Sequence, residues 1–345
     1  MFAPSLVENT TAVAITAAVW LTLVTAVVMK GVKQASYVQI ALTVIETIVV
    51  LAIVIAAIRQ YWGTPAHLPS WEWISPFSFT PATFATGALT AIFFYWGWDV
   101  TMNLGEETKS GQDGKATPAG RGAFWAMINL MVFFMLMMVV VLIVLSDEEI
   151  AKANTNVLFA IAEKLFPAPW SYLAVLSTVL SSLGTIETQM LQFSRSLFSM
   201  SRSNMLPARY ADLHPTWQTP WVATLVIWGL GMILLFGSSY MSSVSAVLNA
   251  SVAAIGIQIC FYMSLAGFAC AWHYRNKFKG DIAGLITHVV WPFLAACFMV
   301  FIGIYSIPTF DTITLIVGIG GLTIGIIPWA LGRLNRSGKE VSFSI

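Results

Sequence analysis

Residues 93–107 read Phe93-Phe94-Tyr95-Trp96-Gly97-Trp98-Asp99-Val100-Thr101-Met102-Asn103-Leu104-Gly105-Glu106-Glu107. A largely apolar run that begins near Phe84 reaches four aromatics in a row, is interrupted by Gly97 and Asp99, and resumes polar. In water this would be a poor helix. In a bilayer it means something narrower. Backbone groups in hydrocarbon must be hydrogen-bonded internally, so a glycine and a carboxylate at depth are tolerated only where the helix lines a protein-enclosed, commonly wet, cavity. Discontinuous helices of this kind build the binding sites of secondary transporters. The alternative is a helix that simply ends at Gly97 near the membrane surface.

The rest of the chain decides that a membrane is involved. It is 58% hydrophobic and 10% charged, against about 25% charged residues in a soluble domain. This composition specifies an all-α polytopic membrane protein in contact with the lipid bilayer. The net charge of +1 identifies no partner and gives no reason to expect nucleic acid. Cys260, Cys270 and Cys297 lie inside apolar runs with no C-x-x-C spacing, and the four histidines form no ligand cluster, so neither a disulfide nor a metal is implied. No G-x-x-x-x-G-K-[S/T] loop exists and no cofactor is implied; energy must come from an ion gradient, H+ or Na+, or from the substrate's own gradient. The start of the chain lacks the basic region and cleavage site of a signal peptide. No nucleophile–base pair or set of metal ligands falls at membrane depth, which argues against an enzyme.

A span needs about 20 apolar residues. Nine stretches qualify, near residues 11–29, 36–58, 83–105, 122–145, 169–194, 221–239, 244–272, 283–306 and 312–332. The fifth keeps a helical pattern past the membrane as far as Met200. Of the 17 Lys and Arg residues, alternate loops hold Lys30, Lys33, Lys109, Lys115, Arg121, Arg195, Arg202, Arg209, Arg275, Lys277, Lys279, Arg333, Arg336 and Lys339. The other loops hold only Arg59, Lys152 and Lys164. The positive-inside rule puts the first set in the cytoplasm, the N-terminus outside and the C-terminus inside, in a cell (plasma) membrane. On the outer side, Trp62, Trp71 and Trp73 fit a headgroup-level loop. Ser146 and Glu149 form a capping box that opens an amphipathic helix with Ile150, Val157, Leu158 and Ile161 on its apolar face, ended by Pro167.

Three carboxylates sit inside spans: Glu46 mid-way through the second, Asp99 past the break in the third, and Glu187 in the inner half of the fifth. Each costs about 2.5–3.5 kcal/mol at mid-bilayer on insertion scales, and each is a functional candidate for that reason. A neutral acid hydrogen-bonded between helices is the alternative. No span carries a Lys or Arg at mid-depth to pair with them, which favours a cationic partner: a proton, a sodium ion or a substrate amine.

Four passages together resemble the later part of an amino acid–polyamine–organocation (APC) superfamily permease. Lys30 to Gln39, followed by Leu42 to Glu46, resembles the link between that family's fourth and fifth helices. Phe93 to Glu107 resembles its broken sixth helix, Ser194 to Pro207 the cytoplasmic end of its eighth, and His214 to Pro220 the lead-in to its ninth. The resemblance implies one transmembrane domain over 1–345. Within it, residues 1–60 would be what is present of the first repeat, 83–272 a five-helix second repeat, and 283–332 two further helices, a partial five-plus-five inverted-repeat fold of about nine transmembrane helices. It departs from the family in three ways. Glu46 stands where a lysine is common. Ser201-Arg202-Ser203-Asn204 replaces the common Ala-Arg-Asp-Gly. The first three helices of the family pattern are not represented.

The resemblance further implies secondary active transport of an amino acid or related amine by alternating access. Phe93, Phe94, Tyr95 and Trp96 would line the pocket, Gly97 would permit the break, and Gln189 would face the substrate. Glu46, Asp99 and Glu187 would couple a proton or cation or gate the path. With one broken helix in place of the family's two, the chain alone is expected to be truncated and transport-deficient. The second reading is a membrane-embedded subunit that assembles with a partner chain. A homodimer through the last two spans follows by analogy with relatives.

Overall fold

The computed structural model describes residues 9–105, 118–241, 243–278 and 280–336. Glu106, Glu107, Lys109, Lys115, Lys279 and Lys339, which belong to the expected inner loops, lie outside these residues. The chain is all helical. In order come α1 (Thr10–Lys30), α2 (Val32–Tyr61), α3 (Pro81–Tyr95), α4 (Val100–Asn103), α5 (Pro118–Val144), α6 (Asp147–Ala153), α7 (Val157–Leu165), α8 (Tyr172–Arg202), α9 (Trp221–Ser238) and α10 (Val244–Tyr274). Then follow α11 (Ile282–Leu285), a π-helical turn (Ile286–Val290), α12 (Trp291–Ser306) and α13 (Thr312–Arg336).

Each of the nine expected stretches is helical, and the third is broken between α3 and α4. Among the described residues, six helical segments are long and apolar enough to cross a membrane: α1, α2, α5, α9, α10 and the run Ile282–Thr309. Pro81–Tyr95 and Thr312–Ile327 are shorter apolar helices. α8 has the length, at 31 residues, but its Ser, Thr, Gln and Glu side chains dilute its apolar character, and many of them are buried. Outward apolar side chains such as Ile48, Ile233, Leu234 and Ile316 are more than 60% exposed, as a lipid-facing surface requires.

The described chain divides into two compact units, residues 9–70 with 97–105, 118–241 and 331–336, and residues 71–96 with 243–278 and 280–330. In the first, α8 is the shared neighbour of α1, α2, α4, α7 and α9. Val28, Ala35, Met190 and Leu191 form a buried cluster there. α1 and α2 are joined by one residue, Gly31, at φ +123°, a conformation that glycine adopts without a Cβ penalty. The end of α1 is satisfied locally: the Gly31 N–H donates to Val28 O at 3.1 Å, and the Thr219 hydroxyl donates to Met29 O at 2.7 Å.

The capping box forms as the sequence predicts. The Ser146 side chain accepts from the Glu149 N–H and the Glu149 carboxylate accepts from the Ser146 N–H. The helix it opens is two helices, however. Asn154 has φ +49° and interrupts it, so the apolar positions Ile150 and Val157 fall on α6 and α7 separately. Asparagine tolerates positive φ better than other non-glycine residues, and the Ala153-Asn154-Thr155-Asn156 stretch supplies it. Just before this, residues 62–67 fold back over the end of α5. The Ala66 and His67 amides donate to Ile143 O (2.9 Å) and Leu142 O (3.1 Å), two of the carbonyls that a helix end leaves without an intrahelical partner.

In the second unit α10 presents a stripe of small residues, Gly256, Cys260, Ser264, Gly267 and Ala271, all but Gly267 buried. Such stripes let backbones approach closely in a bilayer. A Cβ on Gly256 would lie 3.0 Å from Leu89 Cγ on α3, and one on Gly267 only 2.8 Å from the Pro292 carbonyl oxygen on α12. Ala85, Leu89, Cys260 and Ile302 form the core between these three helices. The π-helical turn has an assignable cause. Pro292 has no N–H for the carbonyl four residues earlier and its ring crowds that carbonyl, which belongs to His288. The ladder widens over Ile286–Val290, and the His288 carbonyl instead accepts the Cys270 thiol at 3.6 Å.

Candidate functional site

The break begins where α3 ends. Thr80 caps the helix, with Pro81 in its first turn, a position that needs no N–H. Ala85 and Leu89, one turn apart, bury one face, and the helix runs to Tyr95. Trp96 is extended (φ −69°, ψ 146°), and Gly97 follows at φ +114°. A Cβ on Gly97 would meet nothing within 4 Å, so the backbone conformation and not crowding selects glycine here. The Trp96 N–H donates to Phe93 O and the Val100 N–H to Gly97 O, each three residues back in place of four. The i to i−4 ladder therefore stops on one side of Gly97 and restarts on the other.

Within residues 71–96 and 243–330, a hydrogen bond ties the aromatic side of the break to α10. The Trp96 indole N–H donates to the Tyr262 hydroxyl at 2.6 Å, and Tyr262 sits in the middle of the unbroken α10. Phe93 and Phe94 meet edge to face, with centroids 5.5 Å apart. Phe94 is 51% exposed, and Phe93, Tyr95 and Trp96 are partly buried. Tyr262 was not among the sequence candidates. It lies in an apolar stretch in which nothing marks one tyrosine as the partner of a tryptophan 166 residues away.

Within residues 9–70 and 97–241, the polar side is organised by α8. Gln192 donates its Nε2 to Asp99 Oδ2 at 3.3 Å. The buried side-chain carbonyl oxygens of Gln189 and Gln192 have no hydrogen-bond partner among the described residues. Gln189 and Gln192 are three residues apart, so they share a face of the helix, and α4 packs on α8. A carboxylate beside carboxamide oxygens with unused acceptor capacity is a set that accepts donors, such as an ammonium group, a hydronium-type proton or a bare cation.

Glu187 belongs to different surroundings. Two residues from Gln189, it emerges about 200° away around the helix. It is 2% exposed, and its Oε1 has no hydrogen-bond partner among the described residues. It closes a cavity of about 170 Å³ whose other lining residues, Trp20, Leu23, Val24, Val27, Val38, Leu42 and Leu183, come from α1, α2 and α8 and are apolar or aromatic. Next to it on α8, Gly184 takes the Gln39 carboxamide, 2.9 Å from where a Cβ would stand. Glu46, further along α2, is half-buried and lies beside Ser181 of α8. The three membrane carboxylates thus have three separate environments on α8: Gln192 for Asp99, an apolar cavity for Glu187, and Ser181 for Glu46.

The sequence marks all three carboxylates and Gln189 as candidates, because a polar group in an apolar run is conspicuous. It leaves Gln192, Gln39 and Ser181 unmarked. The spacing of Gln189 and Gln192, one turn apart on a span, was the available signal.

A family model described as amino acid permease matches residues 1–326. Among curated proteins, the serine/threonine exchanger SteT of Bacillus subtilis (strain 168) is 24% identical over 255 residues, covering 73% of this chain and 53% of that protein. The methylthioribose transporter of the same organism is 26% identical over 226 residues, covering 64% and 46% respectively. The vacuolar cationic amino acid transporter 2 of Arabidopsis thaliana is 26% identical over 264 residues, covering 72% and 39%. The chain spans about half the length of the curated relatives it matches.

Proposed function

The chain belongs to the amino acid permease family, and from that premise we propose that it serves secondary active transport of an amino acid or related amine by alternating access. It is a multi-pass membrane protein. The observation that supports the reading best is the break at Trp96–Gly97. There the helical ladder stops in a protein whose surroundings are hydrocarbon, and non-helical backbone at membrane depth is tolerated where protein encloses it or it lines a cavity. The ammonium group of an amino acid can meet the carbonyls of such a stretch. Phe93, Phe94, Tyr95 and Trp96 give the substrate side chain aromatic surfaces, worth about 0.5–2 kcal/mol each toward a cation. In the other unit, Asp99, held by Gln192, and the acceptor oxygen of Gln189 are candidates to accept an amine or the coupling cation, H+ or Na+. Glu187 and Glu46 are the further coupling candidates.

The same reading places the N-terminus outside and the C-terminus in the cytoplasm of a plasma membrane, supported by the bias of Lys and Arg to one set of loops. It assigns residues 83–272 to one five-helix repeat and 283–332 to two additional helices.

The test is ligand-dependent stabilisation of the purified chain in detergent across a panel of amino acids and amines, with uptake by reconstituted vesicles beside it. A ligand at a hundredfold its Kd stabilises the folded form by about 2.7 kcal/mol. One member of the panel should raise the unfolding temperature, and Asp99→Asn should weaken that shift. If no member stabilises the chain and none accumulates above empty vesicles, the proposal fails.

A further inference from the structure

We propose that His67 is a proton-operated clasp, which fastens the segment after α2 to the facing ends of α5 and α6. The imidazole lies between two acceptors. Its Nδ1 is 2.9 Å from the Leu142 carbonyl oxygen, and its Nε2 is 3.2 Å from Asp147 Oδ1. A carbonyl and a carboxylate can only accept. A neutral imidazole has one N–H and serves one of them, and its other nitrogen then sets a lone pair against a lone pair. The imidazolium donates to both.

The charges around the ring are negative. His67 sits at the C-terminal end of the 27-residue α5, where the helix presents partial negative charge. Asp147, the first residue of α6, adds a full one. The neighbouring charges are otherwise engaged. Lys164 on α7 donates to Glu149 at 2.6 Å and to Val144 O at 3.0 Å, and Glu149 also accepts from the Ser146 N–H. The remaining titratable groups on the elements packed here are Arg59 and Tyr61 on α2, Glu148 and Lys152 on α6, and Glu163 on α7. Among the described residues, Asp147 is the acidic group within ion-pair distance of His67. Asp147 is 92% exposed and the His67 side chain 27%, so protons reach the pair from water.

The clasp controls something definite. The backbone amides of Ala66 and His67 cap Ile143 O and Leu142 O. When His67 holds both acceptors, this capping segment is tied at its side chain as well as at its backbone. When His67 loses a proton, one of the two side-chain bonds is lost and the segment opens more often. The clasp therefore tightens as pH falls and loosens as pH rises, whatever the protein transports.

Amide hydrogen exchange on the full chain in lipid nanodiscs tests this, followed at Ala66 and His67 and corrected for the intrinsic pH dependence of exchange. Protection should be about three- to tenfold greater at about pH 5.5 than at about pH 8. His67→Gln should flatten that profile. Asp147→Asn should flatten it from the other end, because its amide offers a donor to the unprotonated ring nitrogen and holds the segment at high pH. A wild-type profile that is flat, or a pH dependence that survives both substitutions, overturns the proposal.

Discussion

The bond between Trp96 and Tyr262 makes the most direct prediction about the break. Tyr262→Phe removes one hydroxyl and leaves the ring. It takes away the acceptor for an indole N–H 2.6 Å distant. A neutral hydrogen bond in a folded protein contributes about 0.5–1.5 kcal/mol net. Side-chain pairs in membrane proteins average about 0.6 kcal/mol, with a maximum near 1.7. The short distance and the partly buried donor put this pair in the upper half, at about 1 kcal/mol, or roughly a fivefold change in the unfolding constant. Because both side chains also pack, single substitutions overstate the bond. The assay is a double-mutant cycle with Trp96→Phe, Tyr262→Phe and the double variant, followed by equilibrium unfolding in mixed detergent. The coupling energy is the quantity of interest. A coupling below about 0.3 kcal/mol would mean that the last residue of the α3 segment is not fastened to α10 through this bond, and the account of how the break is positioned would fall.

Two further outcomes follow from packing and charge. Gly87→Ala, where an added Cβ meets nothing within 4 Å, should stabilise slightly, whereas Gly267→Ala places a Cβ 2.8 Å from the Pro292 carbonyl oxygen. The propensity gain is shared, so unfolding of the two variants should differ by about 1–3 kcal/mol, the usual penalty of overpacking, and equal stabilities would contradict the close α10–α12 approach. The Glu149 carboxyl is held below its ordinary value of 4.5, first by the hydrogen bond from Lys164 and then by the Ser146 N–H. A depressed folded value contributes stability above the unfolded value that is lost as pH falls through the folded one. The unfolding temperature should therefore drop as pH falls below about 4.5, and Lys164→Met should reduce that drop; an identical acid profile in the variant would show that the pair is not responsible.

The spans and the break were legible because both are one-dimensional signals. Apolar runs of the right length cannot hide, and a glycine beside a carboxylate inside one cannot be explained as lipid-facing surface. The same holds for the Ser146–Glu149 capping box, which needs only three residues of context, and for the helical continuation of the fifth span, which the structure carries to Arg202. What was not legible depends on which faces meet. His67 read as one of four scattered histidines, yet its partners are 75 and 80 residues away. Gln192 lies one turn from Gln189 and pairs with Asp99 across 93 residues. Neither relation has a periodicity. The single amphipathic helix expected after Ser146 failed for a local reason: apolar spacing continues across Asn154, so the pattern reported one face while the backbone turned.

Gly31 has a mechanical consequence. One residue connects α1 to the 30-residue α2, which makes α2 about 45 Å long. A joint with a single free residue has no slack to absorb motion, so α2 behaves as a rigid arm with its fulcrum at Gly31. Swinging that arm by about 10° would carry its far end, at Tyr61, through about 8 Å on the helix rise alone. A side chain at position 31 would stiffen the fulcrum, and the whole far end of the arm would register the change.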